Sequence, residues 1–165
     1  MPYSYAKYKT EYKDHMIESF EGLKILDAGA GSGMYSDLLL DKFPIMDALE
    51  IFPNYIEMFK LKEKYNNVFI GDILSFDLSS YDYIILGDII EHLKYEQAYL
   101  FLNNITELGK KCMVAVPYMF EQGEEFGNVY ETHHQPDLTK ERMFERYPML
   151  NFLFGDENYG YYINY

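Results

Sequence analysis

The sequence predicts an α/β protein built on a doubly wound, mostly parallel sheet. Three observations carry this. Near-continuous apolar runs such as Tyr83-Ile84-Ile85-Leu86 recur through residues 24–117, as expected of strands covered on both faces by helices. Amphipathic segments alternate with those runs, the order that βα units and right-handed crossovers require. The first apolar run, Ile25-Leu26, passes directly into Asp27-Ala28-Gly29-Ala30-Gly31-Ser32-Gly33. Three glycines at alternate positions let a strand turn tightly into a helix and let a ligand approach the backbone.

The elements follow in order. A leading helix is expected from about Tyr3 to Phe20. Next come a strand over 24–29, a helix over 33–42, a strand over 45–51, a helix over 53–64 and a strand over 67–71. A loop at 72–80 leads to a strand over 81–87, a helix over 92–108 and a strand over 111–117. Pro53 suits a helix start, where its missing N–H is not needed. Pro44 and Gly109 stand where the preceding helices should end. Residues 118–136 read as a polar loop, followed by a helix from Leu138 to Arg146. Two extended runs, 149–154 and 161–165, flank Gly155-Asp156-Glu157-Asn158, which signals a hairpin.

Composition narrows the function. With 165 residues, 48% hydrophobic and 25% charged, the chain reads as one domain, 1–165, with a substantial core. No apolar run reaches the roughly 20 residues of a membrane span, and Met1 to Glu11 lacks the apolar stretch of a signal peptide. One cysteine, Cys112, leaves no internal disulfide and fits a reducing cytoplasm. The net charge of −13, from 27 acidic and 14 basic residues, repels phosphate backbones and disfavours nucleic acid as a partner. The oligomeric state, monomer or homodimer, stays open.

The spacing of the glycine turn is informative. A dinucleotide fingerprint GxGxxG would need a glycine at position 34, which is Met34. What stands here is DxGxGxG, and with it the chain resembles the class I S-adenosylmethionine-dependent methyltransferases over nearly its whole length. That resemblance implies a Rossmann-like sheet of seven strands, five parallel plus the C-terminal antiparallel hairpin. It implies S-adenosylmethionine as cofactor and S-adenosylhomocysteine as product. It assigns Asp27, Gly29, Ala30, Gly31 and Gly33 to the methionine part of the cofactor. Glu50, closing the second strand, would accept from the ribose hydroxyls, with Ile51 against the adenine. Gly71-Asp72-Ile73 resembles the adenine-binding element: the Asp72 acid accepts from the exocyclic amine and the Ile73 amide meets the ring. A turn cap is the plainer reading of Asp72. Gly87-Asp88-Ile89-Ile90-Glu91-His92-Leu93 resembles the fourth motif, with Gly87 and Asp88 toward the methionyl ammonium or sulfonium. Glu91 and His92 read more simply as the first turn of a helix.

Off those motifs, Tyr130-Glu131-Thr132-His133-His134 holds two of the four histidines. Methylating a hydroxyl calls for a base, and histidine is the commonest. The expected catalytic set is therefore His133 or His134, oriented by Glu131; the alternative is that these side chains only pin the loop. No His/Cys spacing suits zinc. A divalent ion on Glu131, His133, His134 and Asp137 is a lesser reading, and no metal is expected. The leading segment 1–20 carries Tyr5, Tyr8 and Tyr12 at helical spacing, which suits core packing or a lid over the cofactor. With that resemblance the whole reads as a small methyltransferase acting on a small-molecule acceptor, most simply an O-methyltransferase. The alternatives are N- or protein methylation and a catalytically inactive cofactor- or partner-binding module. A nicotinamide oxidoreductase is disfavoured by Met34 and by the lack of a Tyr-x-x-x-Lys pair beside a plausible site. Nucleic-acid methylation is disfavoured by charge and by Asp88-Ile89-Ile90-Glu91 in place of an Asn-Pro-Pro-Tyr-like element.

Overall fold

Strands form where apolar, β-branched and aromatic residues run together. They are β1 (Ile25–Ala28), β2 (Met46–Glu50), β3 (Val68–Ile70), β4 (Tyr83–Gly87), β5 (Lys111–Pro117), β6 (Asn151–Gly155) and β7 (Tyr159–Ile163). In this computed structural model they make a seven-stranded sheet in the order β3-β2-β1-β4-β5-β7-β6, the mostly parallel α/β sheet with an antiparallel C-terminal hairpin that the sequence predicts. The structure describes residue 5 and residues 7–165. Tyr3, Ser4 and Ala6, at the expected start of the leading helix, lie outside the described residues. Two units divide the chain, one ending at Ile84 and the other running from Ile85 to Tyr165.

In the first unit β1 pairs parallel with β2, Asp27 opposite Ala48, and β2 pairs parallel with β3, Glu50 opposite Ile70. Every residue of β1 and β2 is buried, whereas β3 is a short, half-exposed strand. The helix α1 (Lys9–Ser19) follows a left-handed Tyr8 and buries Tyr12 and Met16. Tyr12 packs edge-on against Tyr35 of α2 (Met34–Leu39) at 5.9 Å. Of the tyrosine stripe Tyr12 is fully buried, while Tyr5 is exposed. The helix expected over 53–64 is two: α3 (Pro53–Met58) and α4 (Leu61–Lys64), separated by left-handed Lys60 at φ 52°. That residue redirects the chain. Leu61 is then fully buried, and Lys64 Nζ donates to the Ser32 carbonyl at 3.0 Å.

In the second unit the helix expected over 92–108 begins later, as α5 (Tyr95–Glu107), preceded by a tight turn at Ile90–His92. Lys94 is extended, and its N–H donates to Gln97 Oε1 at 3.1 Å, fixing the helix start. Ala98, Phe101, Leu102 and Ile105 form the buried stripe of α5, at the helical spacing of one apolar face. A short turn at Val129–Glu131 interrupts the long polar loop. The Thr139 hydroxyl accepts from the Arg142 N–H and caps α6 (Lys140–Arg146). β7 pairs antiparallel with both β5 and β6, with a shift in register between Phe152 and Phe154. The hairpin turn is closed by Asp156, whose Oδ1 accepts from the Asn158 N–H at 2.9 Å. No helix among the described residues is long and apolar enough to cross a membrane.

Gly160 in β7 leaves no room for a side chain. A Cβ there would collide with the Tyr118 ring, whose Cζ lies 2.7 Å away, and with Tyr162 Cε2 at 2.8 Å. Tyr118 and Tyr162 are hydrogen-bonded through their hydroxyls, so neither ring yields freely. Gly160→Ala should therefore cost at least ~1–3 kcal/mol and lower the melting temperature measured by circular dichroism.

Candidate functional site

In the first unit the glycine turn leaves β1 with Gly29, Gly31 and Gly33 all left-handed, at φ 70°, 49° and 77°. Such angles strain any residue with a Cβ, and at Gly33 a Cβ would also meet Lys64 Cδ at 2.7 Å. The sequence requires glycine here for geometry alone. Glu50, buried at the end of β2, ties the turn down. Its Oε2 accepts from the Gly31 N–H at 3.0 Å and its Oε1 from the Phe52 N–H at 2.9 Å.

Asp27 is buried at the end of β1 and accepts a hydrogen bond from the Tyr65 hydroxyl. Burial pushes its pKa up to about 7, opposed by the Tyr65 hydrogen bond and by Lys9, and reinforced by Glu50. Lys9 itself lies over the Tyr35 ring at 3.9 Å. Asp72 is exposed. Its Oδ1 accepts from the Leu74 N–H at 2.9 Å, and its carbonyl accepts from Ser75, the turn-cap arrangement. Ile51 and Ile73 are half-buried. Tyr65 and Lys64 carry no motif, and their contacts with the turn come from residues more than 30 positions away.

The second unit assembles a different group. After β4, Asp88 is left-handed at φ 56°, an angle Asp tolerates better than most residues but one that still marks strain at a site. Its N–H donates to the Ala115 carbonyl at 2.8 Å, and its Oδ1 accepts from the Tyr159 hydroxyl at 2.7 Å. Glu91 follows, 1% exposed, with no hydrogen-bond partner at either carboxylate oxygen among the described residues. Burial, and then the neighbouring Asp88 charge, hold its pKa well above the ordinary carboxylate range.

The polar loop closes on this turn through its backbone. The N–H groups of His134 and Gln135 donate to the Glu91 carbonyl at 2.8 and 3.1 Å. Gln135 Nε2 donates to the Ile90 and Leu93 carbonyls at 2.9 and 3.1 Å. These bonds deliver the His133 ring to His92, with centroids 4.7 Å apart and the rings nearly perpendicular. His92 Nδ1 faces the Thr132 carbonyl at 3.4 Å, and His133 Nδ1 faces the Phe120 carbonyl at 2.8 Å. A carbonyl only accepts, so each Nδ1 carries the proton and each Nε2 keeps a lone pair. Burial, with His133 beside it, lowers the His92 pKa to about 4. Burial lowers that of His133 as well, opposed by the Phe120 carbonyl.

Of the expected trio, Glu131 and His133 are linked through Gln122, and His134 is exposed. Glu131 is buried, and its Oε2 accepts from Gln122 Nε2 at 3.0 Å, while Gln122's own carbonyl accepts from the His133 N–H at 2.9 Å. Glu131 therefore steadies the loop backbone under His133, and its charge favours protonation of both His92 and His133. His134 is exposed and edges an open pocket with Tyr95, Asp137 and Arg146. His92 and Glu91, read from sequence as a helix turn, prove to be central to this group. The Glu-His pair was visible in the fourth motif, but nothing local tied it to position 133.

No protein-family model matches the chain, and no curated protein matches it. Solved structures do. The 1,6-didemethyltoxoflavin-N1-methyltransferase of Burkholderia thailandensis, with its substrate and S-adenosylhomocysteine bound, is 13% identical with a TM-score of 0.67, covering 95% of this chain and 76% of that one. The N-methyltransferase NodS of Bradyrhizobium japonicum is 14% identical with a TM-score of 0.63, covering 94% of this chain and 92% of that one. The pyocyanin biosynthetic protein PhzM is 16% identical with a TM-score of 0.65; the match covers 94% of this chain and 53% of PhzM, so the chain spans about half of that relative's length. At these identities the likeness is one of fold. The chain has the Rossmann-like architecture of the S-adenosylmethionine-dependent methyltransferases.

The raised pKa of Asp27 sets a pH dependence. The folded state holds this proton more tightly than the unfolded chain, whose ordinary value is 3.8. The contribution of this group to stability is therefore fully present below about pH 4 and is lost as pH rises through about 7. Asp27→Asn keeps an acceptor for Tyr65 and removes the charge. The variant should lose that contribution's pH dependence and be more stable than wild type at pH 8 by roughly 1–3 kcal/mol, read as a higher melting temperature in thermal scans across pH 4–8.

Proposed function

We propose that the chain is an S-adenosylmethionine-dependent methyltransferase acting on a small molecule, with oxygen as the acceptor atom. The observation that carries this reading is the 3.0 Å bond from the Gly31 N–H to Glu50. It locks the left-handed DxGxGxG turn to the acid that the motif resemblance assigns to the ribose. In this reading the turn from Asp27 to Gly33 serves the methionine part of the cofactor. Ile51 and Ile73 flank the adenine, and Asp72 offers Oδ2 to its amine while Oδ1 holds the local turn. The motif resemblance gives Gly87 and Asp88 the methionyl end, the segment 1–20 a lid and the loop 118–136 the acceptor.

The chemistry asks little of the protein beyond placement. The acceptor oxygen attacks the methyl carbon in line, the carbon–sulfur bond breaks, and its electron pair returns to sulfur, giving S-adenosylhomocysteine. Holding donor and acceptor at attack distance supplies up to ~7–11 kcal/mol. The hydroxyl proton passes to a base, worth ~10²–10⁴-fold. His133, with its Nδ1 committed to Phe120, and the exposed His134 are the two bases proposed. The two N-methyltransferases compared above share the fold, so the choice of oxygen rests on these histidines. The net charge of −13 supports a small acceptor over nucleic acid.

Calorimetric titration of the purified chain with S-adenosylmethionine, S-adenosylhomocysteine and NADH tests the donor. Micromolar binding of both adenosyl ligands and none of NADH is expected. Glu50→Ala should weaken it by ~10–100-fold, the loss of one or two charge-assisted hydrogen bonds. No adenosyl binding would overturn the reading and leave a partner-binding module on this fold.

For the base, His133→Ala and His134→Ala are compared in turnover with a panel of phenol and alcohol acceptors. One of them should lower kcat by ~10²–10⁴-fold. Equal and unchanged rates in both would remove histidine from the mechanism.

A further inference from the structure

We infer that Glu91, His92 and His133 form a binding site for a divalent transition-metal ion. One ligand atom from each lies within 4.8 Å of the others. Ligands at ~2.0–2.2 Å around a single tetrahedral ion stand about 3.4 Å apart, so small side-chain rotations bring the three onto one ion.

Three independent features point the same way. Glu91 is 1% exposed and neither carboxylate oxygen has a hydrogen-bond partner among the described residues. Buried carboxyl groups are otherwise almost always satisfied, and an orphan marks a missing partner. Both imidazoles direct Nδ1–H at backbone carbonyls, of Thr132 and Phe120. That is the arrangement that orients metal-binding histidines and leaves Nε2 as the donor. The loop that brings His133 is fastened to the Glu91 carbonyl itself by two N–H groups, so carboxylate and imidazole are held by one short stretch of backbone.

The donor set names the class of ion. Two imidazoles and one carboxylate suit Mn²⁺, Fe²⁺, Co²⁺, Ni²⁺ or Zn²⁺, whereas Mg²⁺ and Ca²⁺ prefer oxygen alone. Three protein ligands leave at least one position for water or for a substrate oxygen, the pattern of a working site and not of a purely structural one. His133 cannot be ligand and base through the same Nε2, so with the ion bound the base assignment passes to His134.

The test needs neither cofactor nor acceptor, so its outcome is independent of the methyl-transfer reading. The full chain is stripped with EDTA and titrated calorimetrically with MnCl₂, ZnCl₂, CoCl₂ and MgCl₂. Expected are one equivalent of Mn²⁺, Zn²⁺ or Co²⁺ bound with micromolar affinity, no heat from Mg²⁺, and a visible Co²⁺ absorption band from nitrogen ligation. Glu91→Gln, His92→Gln and His133→Gln should each weaken binding by at least ~10–100-fold, and His134→Gln should leave it unchanged. Circular dichroism confirms that each variant is folded. His133→Gln, at a half-buried loop position, gives the decisive value should the Glu91 variant unfold. No stoichiometric binding by the wild type, or binding that survives His133→Gln, would overturn the proposal.

Discussion

Glu50 is the constraint on which the first unit turns. An acid buried at the end of a strand must find hydrogen-bond donors or lose its charge. The donors it finds are the N–H groups of Gly31 and Phe52. The first belongs to a turn whose three left-handed glycines cannot hold their conformation by side-chain packing, since they have none. The carboxylate therefore supplies the tether that the glycines lack. Lys64 adds a second from below by donating to the Ser32 carbonyl and to Asp37. A turn made flexible by composition is thus made rigid by two charged groups, which is what a site that grips a ligand with its backbone needs.

The second unit solves the same problem with backbone in place of glycine. Its long loop has little regular structure, yet Gln122, Gln135 and the N–H groups of residues 133–135 form a continuous set of hydrogen bonds. Gln135 is held in turn by Arg146 and by the Tyr147 hydroxyl, at 3.1 and 2.8 Å. The result is a loop placed as firmly as a strand, carrying His133 at a defined position. Loops of this kind commonly bear function because the scaffold fixes them while their sequence stays free to vary.

The parallel strands and the turn were legible because their signals are local. A run such as Ile84-Ile85-Leu86 has few places to go except a sheet core, and three alternate glycines after a strand leave little but a tight turn. The break at Lys60 was not legible, because a left-handed lysine leaves no mark of the kind a glycine leaves. The early end of the 3₁₀ turn before Tyr95 was likewise hidden, since Leu93 and Lys94 suit a helix by propensity. At the site, Asp27 and Glu50 could be read from motif and strand position. Tyr65, 38 positions from Asp27, and Gln122 could not, because a hydrogen-bond partner supplied by the fold has no signature in its own neighbourhood. Nothing near position 133 in the sequence pointed to His92, which the fold brings to within 4.7 Å of it between ring centroids.

The two buried glutamates show why function concentrates where it does. Glu50 and Glu91 are both nearly inaccessible, at 4% and 1% exposure. Glu50 is satisfied by backbone donors, so its burial is compatible with stability and with a binding role together. Glu91 stands beside two imidazoles whose remaining nitrogens are acceptors in the tautomer that their carbonyl partners fix, so neither can donate to it. A selection acting on stability alone would replace such an acid with glutamine or an apolar residue of similar size. Its presence, next to a left-handed Asp88 and two oriented histidines, is the kind of local conflict found at working sites. A positive charge placed among these lone pairs would convert every one of the unfavourable contacts into an attraction.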